Sequence, residues 1–368
     1  MPGGLAAYVT SHGFGHLNRS SAVLNRIPEE VPLVVRCHPS LFNHWRERLK
    51  RPARLEAHVS DAGAVNPIGD SAATDGSATL ELAGRVHREA MTRVDEEADR
   101  LRSEGTRAVL CDAPPVPLVA AKRAGVPGFL LANFTWADIY APHARKLGGD
   151  ALKVVAEIRE AYRHAHTLFR VQPALSMRAI APTVDMGMVV SIGRNRNKEL
   201  RERFEIRENE KIVYFYIGRY GQDDLGWDRL ASWKGIHFVG FHQAAVGPLP
   251  NLHVVSADDW TGADLASSAD AIVAKAGYGT VCEAMAARTP LIYPPRVGFA
   301  EHRALDRALR LWGGGVPTSA RGFAELRLER LLAHAFSLRP EPPPFPTDAA
   351  ERIAAHLTEV CLADRSCS

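Results

Sequence analysis

The sequence predicts an α/β protein made of two domains, each a parallel β-sheet with helices on both of its faces. The chain has 368 residues, which is more than one ordinary compact domain needs. Short apolar runs alternate with helical patterns along its length, as expected of repeated strand–helix–strand units. The alternation stops near residue 190 and starts again near residue 208, after a polar, arginine-rich connector. We therefore expect the domain boundary within 190–208.

In the first half, each predicted strand is a short run of apolar and β-branched residues. Helical periodicity predicts a charged surface helix over 80–104 and a further helix over 149–166. Residues 61–79 are rich in Gly, Ala, Ser, Asp and Thr, which predicts a long loop before the surface helix. The predicted strands of this half cover 5–11, 31–38, 54–60, 108–112 and 128–134.

The second half opens with the apolar run KIVYFYIG at 211–218, and further strand-like runs alternate with helical patterns after it. The proline-rich segment PEPPPFP at 340–346 predicts a stiff tether before a final amphipathic helix. We therefore expect a first domain over 1–190, a second domain over 208–338 and a terminal helix over 347–366.

Composition excludes several classes of protein. The formal net charge of +3 is small for this length, so the sequence gives no indication of nucleic-acid binding. The five cysteines are scattered without a CxxC pair, which indicates neither a zinc site nor a disulfide framework. No apolar stretch is long enough to span a bilayer and no leader-like pattern opens the sequence, so we expect a soluble cytoplasmic protein.

The first candidate site is the loop SHGFGH at 11–16, between the first strand and the first helix. Loops at the carboxyl ends of parallel strands line the ligand crevice of such a sheet. Histidine titrates near neutral pH, so His16 at the start of the helix can act as a general base. The two glycines permit a tight turn and the close approach of a ligand. The other residues of this loop are His12, Gly13, Phe14 and Gly15.

Two other interpretations of this loop stay open. The dinucleotide fingerprint G-x-G-x-x-G would make it an NADP site, but Asn18 occupies the position of the third glycine. The second strand carries Arg36 where an NAD site would have an acidic residue. Alternatively, the loop is a tight turn whose histidines are hydrogen-bonded locally.

Asp112 is predicted at the end of a later strand of the same sheet, directly before Ala-Pro-Pro. Its carboxylate can accept a hydrogen bond from the ring nitrogen of His16 that does not contact substrate. This bond would fix the tautomer of the imidazole and stabilise the imidazolium ion. The structural alternative is that Asp112 caps the following helix.

The second candidate site is a glycine-flanked turn between the strand DAIVA and the helix TVCEAMAAR. A helix that begins at Gly277 and Gly279 offers free N–H groups and the positive end of its dipole to a diphosphate. Residues 280–283 (TVCE) also fit a capping box, and both glycines fit an ordinary turn, so a purely structural interpretation stays open. A further loop, after the first strand of this half, contains Gly218 and Arg219. That arginine either contacts phosphate or is a solvated loop residue.

Longer blocks of sequence then point to a family. They are VTSHGFGHLNRS near the start, DAGAV at 61–65, CDAPPVPLVAAKRAGVPGFLLANFTWADIY at 111–140, and SSADAIVAKAGYGTVCEAMAARTPLIYPP followed by FAEHRAL at 299–305. With these blocks the chain resembles the GT-B glycosyltransferases, and among them the N-terminal, glycosyltransferase-like half of plant-type L-arabinokinases. The resemblance implies a GT-B fold, in which two Rossmann-like doubly wound domains face each other across a cleft and a C-terminal helix returns to the first domain. No Gly-Ser-rich ATP loop follows residue 330, so arabinose phosphorylation is not carried over.

The resemblance also implies roles for single residues. His16 is the expected general base, with Asp112 as its partner. The glycine turn is expected to bind the donor diphosphate, Glu283 the ribose hydroxyls, and Glu301 or His302 the donor sugar. The expected donor-binding residues are Gly218, Arg219, Gly277, Tyr278, Gly279, Thr280, Glu283, Glu301 and His302. Those expected on the acceptor side are His12, Gly13, Phe14 and Gly15, together with Asn133, Trp136 and Asp138 on a loop.

We therefore expect a glycosyltransferase that moves a sugar from a nucleoside diphosphate sugar, with UDP as the carrier, to a hydroxyl acceptor. The acceptor is expected to be a small molecule, a glycan or a lipid-linked compound, and neither nucleic acid nor a membrane span is involved. Because the pattern places a base opposite the leaving group and a helix dipole at the diphosphate, we expect inversion without a metal or cofactor. A nucleotide-sugar 2-epimerase or hydrolase, a non-catalytic nucleotide-sugar-binding protein and an NADP oxidoreductase remain alternatives.

Overall fold

A computed structural model describes residues 4–67, 73–178, 180–217 and 225–363 of the chain. Within these ranges the chain forms two β-sheets, of seven and six strands, and neighbouring strands in both sheets run parallel. The predicted fold class, two doubly wound α/β units, is confirmed.

The strands of the first sheet are β1 (Leu5–Val9), β2 (Leu33–Cys37), β3 (Arg54–Ala57), β4 (Ala108–Asp112), β5 (Gly128–Ala132), β6 (Thr167–Val171) and β7 (Thr183–Met186). Within this sheet, the strands β1, β2, β4 and β5 are buried along their whole length, as is usual when helices cover a parallel sheet, and the edge strands β3 and β7 are more exposed. The seven strands lie in the order β3-β2-β1-β4-β5-β6-β7, so the order reverses between β1 and β4. Ligands bind doubly wound sheets at this reversal, beyond the carboxyl ends of the strands.

Helices connect and cover these strands. They are α1 (Phe14–Leu24), α2 (Phe42–Arg48), α3 (Gly76–Thr92), α4 (Val94–Ser103), α5 (Val116–Ala124), α6 (Trp136–Leu147) and α7 (Gly149–Tyr162). A further helix, α8 (Asn197–Phe204), occupies the connector between the two sheets.

The second sheet repeats the same plan with shorter strands. These are β8 (Lys211–Tyr216), β9 (Ile236–Gly240), β10 (Leu252–Val254), β11 (Ala271–Ala274), β12 (Leu291–Tyr293) and β13 (Gly315–Pro317), in the order β10-β9-β8-β11-β12-β13. Its reversal lies between β8 and β11, so the glycine turn after β11 is at the ligand edge of this sheet. The helices of this half are α9 (Trp227–Ala231), α10 (Gly262–Ser268), α11 (Tyr278–Ala287), α12 (Glu301–Trp312), α13 (Ala320–Ala324) and α14 (Glu329–Ser337).

Three expectations for the first half need correction. The loop predicted over 61–79 ends early, because Asp75 accepts a hydrogen bond from the backbone N–H of Ala78 and α3 begins at Gly76. The helix predicted over 80–104 is two helices, which are separated at Arg93. The helix α6 was not predicted, because Pro142 lies within it and proline usually ends a helix.

The terminal helix α15 (Ala349–Leu362) returns to the first half, as the predicted fold requires. It packs on α1 and β4. Arg26, two residues after the end of α1, forms an ion pair of 2.7 Å with Glu351 of α15, and the His356 ring lies edge-on to Phe129 of β5. The residues that α15 buries are Ala349, Ala350, Ile353, Ala354, Leu357 and Cys361.

Among the described helices, none combines the length and the apolar character that crossing a membrane requires.

Candidate functional site

The loop after β1 turns into α1 at the point where the order of the first sheet reverses. Val9 lies opposite Asp112 at the carboxyl ends of β1 and β4. Gly13 has φ 90° and ψ 152°, a conformation that other residues rarely adopt, and α1 begins directly after it. This turn places His16 in the first turn of α1, beside the end of β4.

His16 and Asp112 form a buried pair. Nδ1 of His16 lies 2.7 Å from Oδ1 of Asp112, whose side chain is fully buried. Since a carboxylate only accepts hydrogen bonds, the imidazole proton lies on Nδ1, and Nε2 holds the lone pair that a base needs. The alternative that Asp112 caps a helix is wrong, because α5 begins at Val116 and its N-cap residue is Pro115.

Two further side chains of α1 hold the same carboxylate, and neither was predicted from the sequence. Arg19 donates from Nε to Oδ2 (3.1 Å) and from Nη2 to Oδ1 (2.5 Å), and the hydroxyl of Ser20 donates to Oδ2 (2.7 Å). Burial alone would raise the pKa of Asp112, but the charge of Arg19 and the hydrogen bonds donated by Arg19 and His16 outweigh it and hold that pKa well below its usual range. The spacing of three residues between His16 and Arg19, on one helix face, is the sequence signal that could have identified this arginine.

The same arginine reaches toward the second half. Its Nη1 donates to Oδ1 of Asn133 (2.7 Å), and Nδ2 of Asn133 donates to Oε1 of Glu301, the first residue of α12 (2.7 Å). The guanidinium of Arg19 also lies 5.1 Å from the centre of the Tyr278 ring, in the first turn of α11. A buried chain of contacts therefore joins the His16–Asp112 pair to the first turns of α11 and α12 in the second half.

Aromatic rings surround the imidazole of His16. The centre of the Phe134 ring is 5.6 Å away and that of Trp136 is 6.4 Å away. Phe299, from the second half, packs edge-on against Phe134 at 5.7 Å and stacks on His12 at 6.4 Å. Burial lowers the pKa of His12 to about 4, so this second histidine is neutral at physiological pH. His12 therefore forms part of the aromatic wall and does not share the carboxylate of Asp112.

Part of the acceptor-side prediction is wrong in its local structure. Trp136 and Asp138 lie in the first turn of α6, where a loop was expected. The carboxylate of Asp138 accepts from the backbone N–H and the hydroxyl of Thr135, which completes a capping box at the helix start. Trp136 donates its indole N–H to Asp61 (2.7 Å), and burial raises the pKa of Asp61.

Among the other residues of the SHGFGH loop, Phe14 packs against a neighbouring helix, whereas the fold does not require a glycine at Gly15. The Phe14 ring packs edge-on against His44 of α2, with 4.7 Å between ring centres. A Cβ atom added at Gly15 would meet nothing within 4 Å, and the backbone there is not in the left-handed region. Neither conformation nor crowding therefore explains Gly15, which leaves open space beside the first turn of α1.

The glycine turn of the second half starts α11 without a side chain that could cap it. Gly277 is the N-cap residue, in an extended conformation (φ −98°, ψ 159°), so the helix begins before Thr280. Thr280 and Glu283 consequently lie within the helix, and the capping-box alternative is wrong. A Cβ atom at Gly277 or Gly279 would meet nothing within 4 Å, and neither residue has a positive φ. An ordinary turn therefore does not explain these two glycines.

Glu283 lies half-buried further along α11. Its Oε2 is 3.1 Å from where a Cβ on Gly262 would stand, and the hydroxyl oxygen of Tyr214 is 3.2 Å from the same point. Burial raises the pKa of Glu283 to about 7. The loop after β8, with the predicted donor ligands Gly218 and Arg219, lies outside the described residues.

Glu301 and His302 take different positions at the start of α12. Glu301 is buried against Asn133, and Arg296 lies 3.9 Å from its Oε2 with the guanidinium 3.6 Å from the centre of the Phe299 ring. Nδ1 of His302 is buried without a hydrogen-bond partner among the described residues, and burial lowers the pKa of this histidine. In this conformation the carboxylate of Glu301 connects the two halves of the chain.

Arg36 is not available for an NADP phosphate. It is fully buried, and its Nε, Nη1 and Nη2 donate to Glu56, Glu97 and Glu104 at 2.9, 2.9 and 2.6 Å. These three carboxylates engage the cation inside the first half. The NADP interpretation of the SHGFGH loop therefore loses the residue that would bind the 2′-phosphate.

Comparison with known proteins gives relatives of two kinds. The L-arabinokinase of Arabidopsis thaliana is 28% identical over 345 residues, which cover 91% of this chain and 32% of that protein. The chain thus spans about a third of the length of this relative. No protein-family model matches the chain.

Solved structures are similar over nearly the whole chain. The calicheamicin glycosyltransferase CalG4 superimposes with a TM-score of 0.63 and 14% identity, covering 98% of this chain and 95% of CalG4. Phytolacca americana UGT2, complexed with UDP-2-fluoro-glucose and pterostilbene, has a TM-score of 0.59 and 12% identity, covering 97% and 94%. At these identities the similarity shows the fold. The chain has the two-domain GT-B fold of these glycosyltransferases, and its sequence is similar to part of L-arabinokinase.

Proposed function

We propose that the chain is a glycosyltransferase that moves a sugar from a nucleoside diphosphate sugar, with UDP as the carrier, onto a hydroxyl group. The observation that carries this proposal is the contact between α1 and α11. The first helix carries His16, which pairs with Asp112 at the end of β4, and the second begins at glycines that the fold itself does not require. A base and a diphosphate site on adjoining helices are the two parts that glycosyl transfer needs. The UDP sugar held by the similar UGT2 supports UDP as the carrier.

In the proposed reaction, Nε2 of His16 takes the proton of the attacking hydroxyl while that oxygen bonds to the anomeric carbon. The bond from this carbon to the diphosphate oxygen breaks on the opposite face, so the configuration inverts. Asp112 accepts from Nδ1 throughout and stabilises the imidazolium ion. The N–H groups and dipole at the start of α11 stabilise the departing diphosphate, a role that in this proposal needs neither metal nor cofactor.

Glu283 and Glu301 have separate functions in this proposal. Glu283 accepts hydrogen bonds from the ribose hydroxyls of the donor. Glu301 contacts the donor sugar from the start of α12, where its hydrogen bond to Asn133 already brings it within the network of the base. A hydrolase or 2-epimerase would need a second acid at the sugar, and the nature of the product distinguishes these reactions from transfer.

A thermal-shift screen against UDP, GDP, dTDP, ADP and NADP tests the donor site. At a ligand concentration 100-fold above the dissociation constant, binding stabilises the folded chain by about 2.7 kcal/mol. We expect UDP to raise the melting temperature, Glu283→Ala to abolish the rise, and Glu359→Ala, an exposed residue of α15, to preserve it. A rise with NADP alone would contradict the proposal. Release of free sugar from the donor, without transfer to any acceptor that is offered, would indicate a hydrolase.

A further inference from the structure

Arg19 lies between the proposed base and the second half of the chain. It is 5% exposed, and its guanidinium is engaged on several sides. Nε and Nη2 donate to the two oxygens of Asp112, and Nη1 donates to Asn133. The ring of Tyr278 packs against the face of the guanidinium. Because it is enclosed in this way, Arg19 acts on any bound substrate only through these neighbours.

The distance between Arg19 and His16 is informative. Nη2 of Arg19 lies 3.1 Å from Nδ1 of His16. Nδ1 already donates its proton to Asp112, so this approach brings two N–H donors together and is not a hydrogen bond. A fixed positive charge at this distance disfavours a second positive charge on the imidazole. It also neutralises Asp112, whose charge alone would favour the imidazolium ion.

We propose that Arg19 is a positioning residue for the base: it orients Asp112 toward Nδ1 of His16, and its charge keeps the imidazole neutral until an acceptor proton arrives. A base that is already protonated cannot take the proton of a hydroxyl group, so this neutral state is required for turnover. The catalytic meaning of the inference rests on the proposed function. The tautomer and charge that it assigns to His16 do not depend on that function.

The remaining charged and titratable groups near the pair do not replace Arg19. In the first half, Asp61 and His12 interact with His16, and burial makes the charged form of each less favourable. From the second half, Glu301 and Tyr278 face Arg19. Glu301 belongs to α12 and Tyr278 to α11, so two helices of the second half help to hold the arginine in place.

Nitrogen NMR of the protein labelled with ¹⁵N-histidine tests this inference without any substrate. The His16 signals are assigned by their loss in His16→Gln. In the unmodified chain we expect the neutral imidazole to carry its proton on Nδ1. In Arg19→Gln we expect the midpoint of the His16 titration to rise by about one pH unit. Arg19→Lys retains the charge, so its midpoint should lie close to that of the unmodified chain.

Ser20→Ala is the matched control, because it removes one hydrogen bond to Asp112 and leaves every charge in place. We expect its midpoint to stay within about 0.3 pH units of the unmodified chain, well below the shift for a lost charge. A neutral His16 protonated on Nε2 would overturn the inference, as would an unchanged or lower midpoint in folded Arg19→Gln. If that variant does not fold, the tautomer of His16 in the unmodified chain still decides. Failure of transfer with every donor would contradict the proposed function and leave this result standing.

Discussion

At the scale of single residues, Asp112 is the acceptor on which the proposed base depends. Its two oxygens accept hydrogen bonds from His16, Arg19 and Ser20, and all of these contacts are buried. In Asp112→Asn the guanidinium of Arg19 loses its counter-charge inside the protein. We expect the free energy of unfolding in urea to fall by about 3–5 kcal/mol at pH 7, the usual effect of removing one partner from a buried ion pair.

The pH dependence of this loss has a definite sign. The folded pKa of Asp112 lies below its unfolded value, so its stabilising effect is present above about pH 4 and disappears as the pH falls further. The difference between Asp112→Asn and the unmodified chain should therefore be full at pH 7 and shrink below about pH 4. Ser20→Ala, a loss of one hydrogen bond, should destabilise by only about 1 kcal/mol. Equal losses in the two variants would contradict this interpretation.

Glu283 should show the opposite dependence. Burial raises its pKa to about 7, so the folded state favours the protonated acid, and stability is lost as the pH rises through that value. We expect Glu283→Gln to be more stable than the unmodified chain at pH 8, by up to about 3 kcal/mol, and nearly equal to it at pH 4. Melting temperatures over this pH range measure the effect, with Glu359→Gln as the exposed control. A variant that is less stable at pH 8 would show that the ionised carboxylate is favoured in the fold.

At the scale of elements, a substitution at the start of α11 tests whether Gly277 is a structural glycine or leaves room for the proposed ligand. Gly277 has open space around it and an extended backbone, so Gly277→Ala should change the free energy of unfolding by less than about 0.5 kcal/mol. The same methyl group would stand where, in the proposed function, the diphosphate approaches the helix. We expect the affinity for UDP, measured by calorimetry, to fall at least about tenfold, or about 1.4 kcal/mol.

Gly125 is the matched control, because it ends α5 in a left-handed conformation (φ 72°). Gly125→Ala should destabilise the chain by about 1–2 kcal/mol and leave the affinity for UDP unchanged. The opposite pattern, with Gly277→Ala destabilised and still binding UDP, would show that the first glycine is structural.

At the scale of the whole molecule, α15 stabilises the first half from the far end of the chain. Leu357 is fully buried where this helix packs on α1 and β4. Leu357→Ala should destabilise the chain by about 2–5 kcal/mol through the lost apolar burial and the cavity it leaves. Hydrogen exchange should accelerate in α1 and α15 more than in α9 to α14, because the cavity lies in the first half.

Leu362→Ala makes the same substitution at the end of α15, where the side chain is 44% exposed. It should change the free energy of unfolding by less than about 1 kcal/mol, since little apolar surface returns to water. Similar effects in the two variants would contradict the packing of α15 described above.

The sequence by itself determined the two α/β halves and the sheet edges at which their candidate sites lie. Strands and glycine turns are set by patterns of a few neighbouring residues, and parallel sheets bring the carboxyl ends of their strands to one edge. These two facts were enough to select His16, Asp112 and the turn at Gly277. Local patterns failed where a single residue disturbed them, as at Pro142 within α6 and at Arg93 between α3 and α4.

Only the tertiary structure revealed how the site is held. Arg19 and Asp112 are 93 residues apart in sequence, and Asn133 and Glu301 are 168 apart. Phe299, on a loop of the second half, packs within the aromatic core of the first. No local pattern encodes such contacts, because they depend on which faces of two separately formed sheets and their helices pack together. The balance of neighbouring charge and burial then determines the chemistry of the two carboxyl groups. Asp112 ionises readily because Arg19 lies beside it, whereas burial without such a neighbour raises the pKa of Glu283.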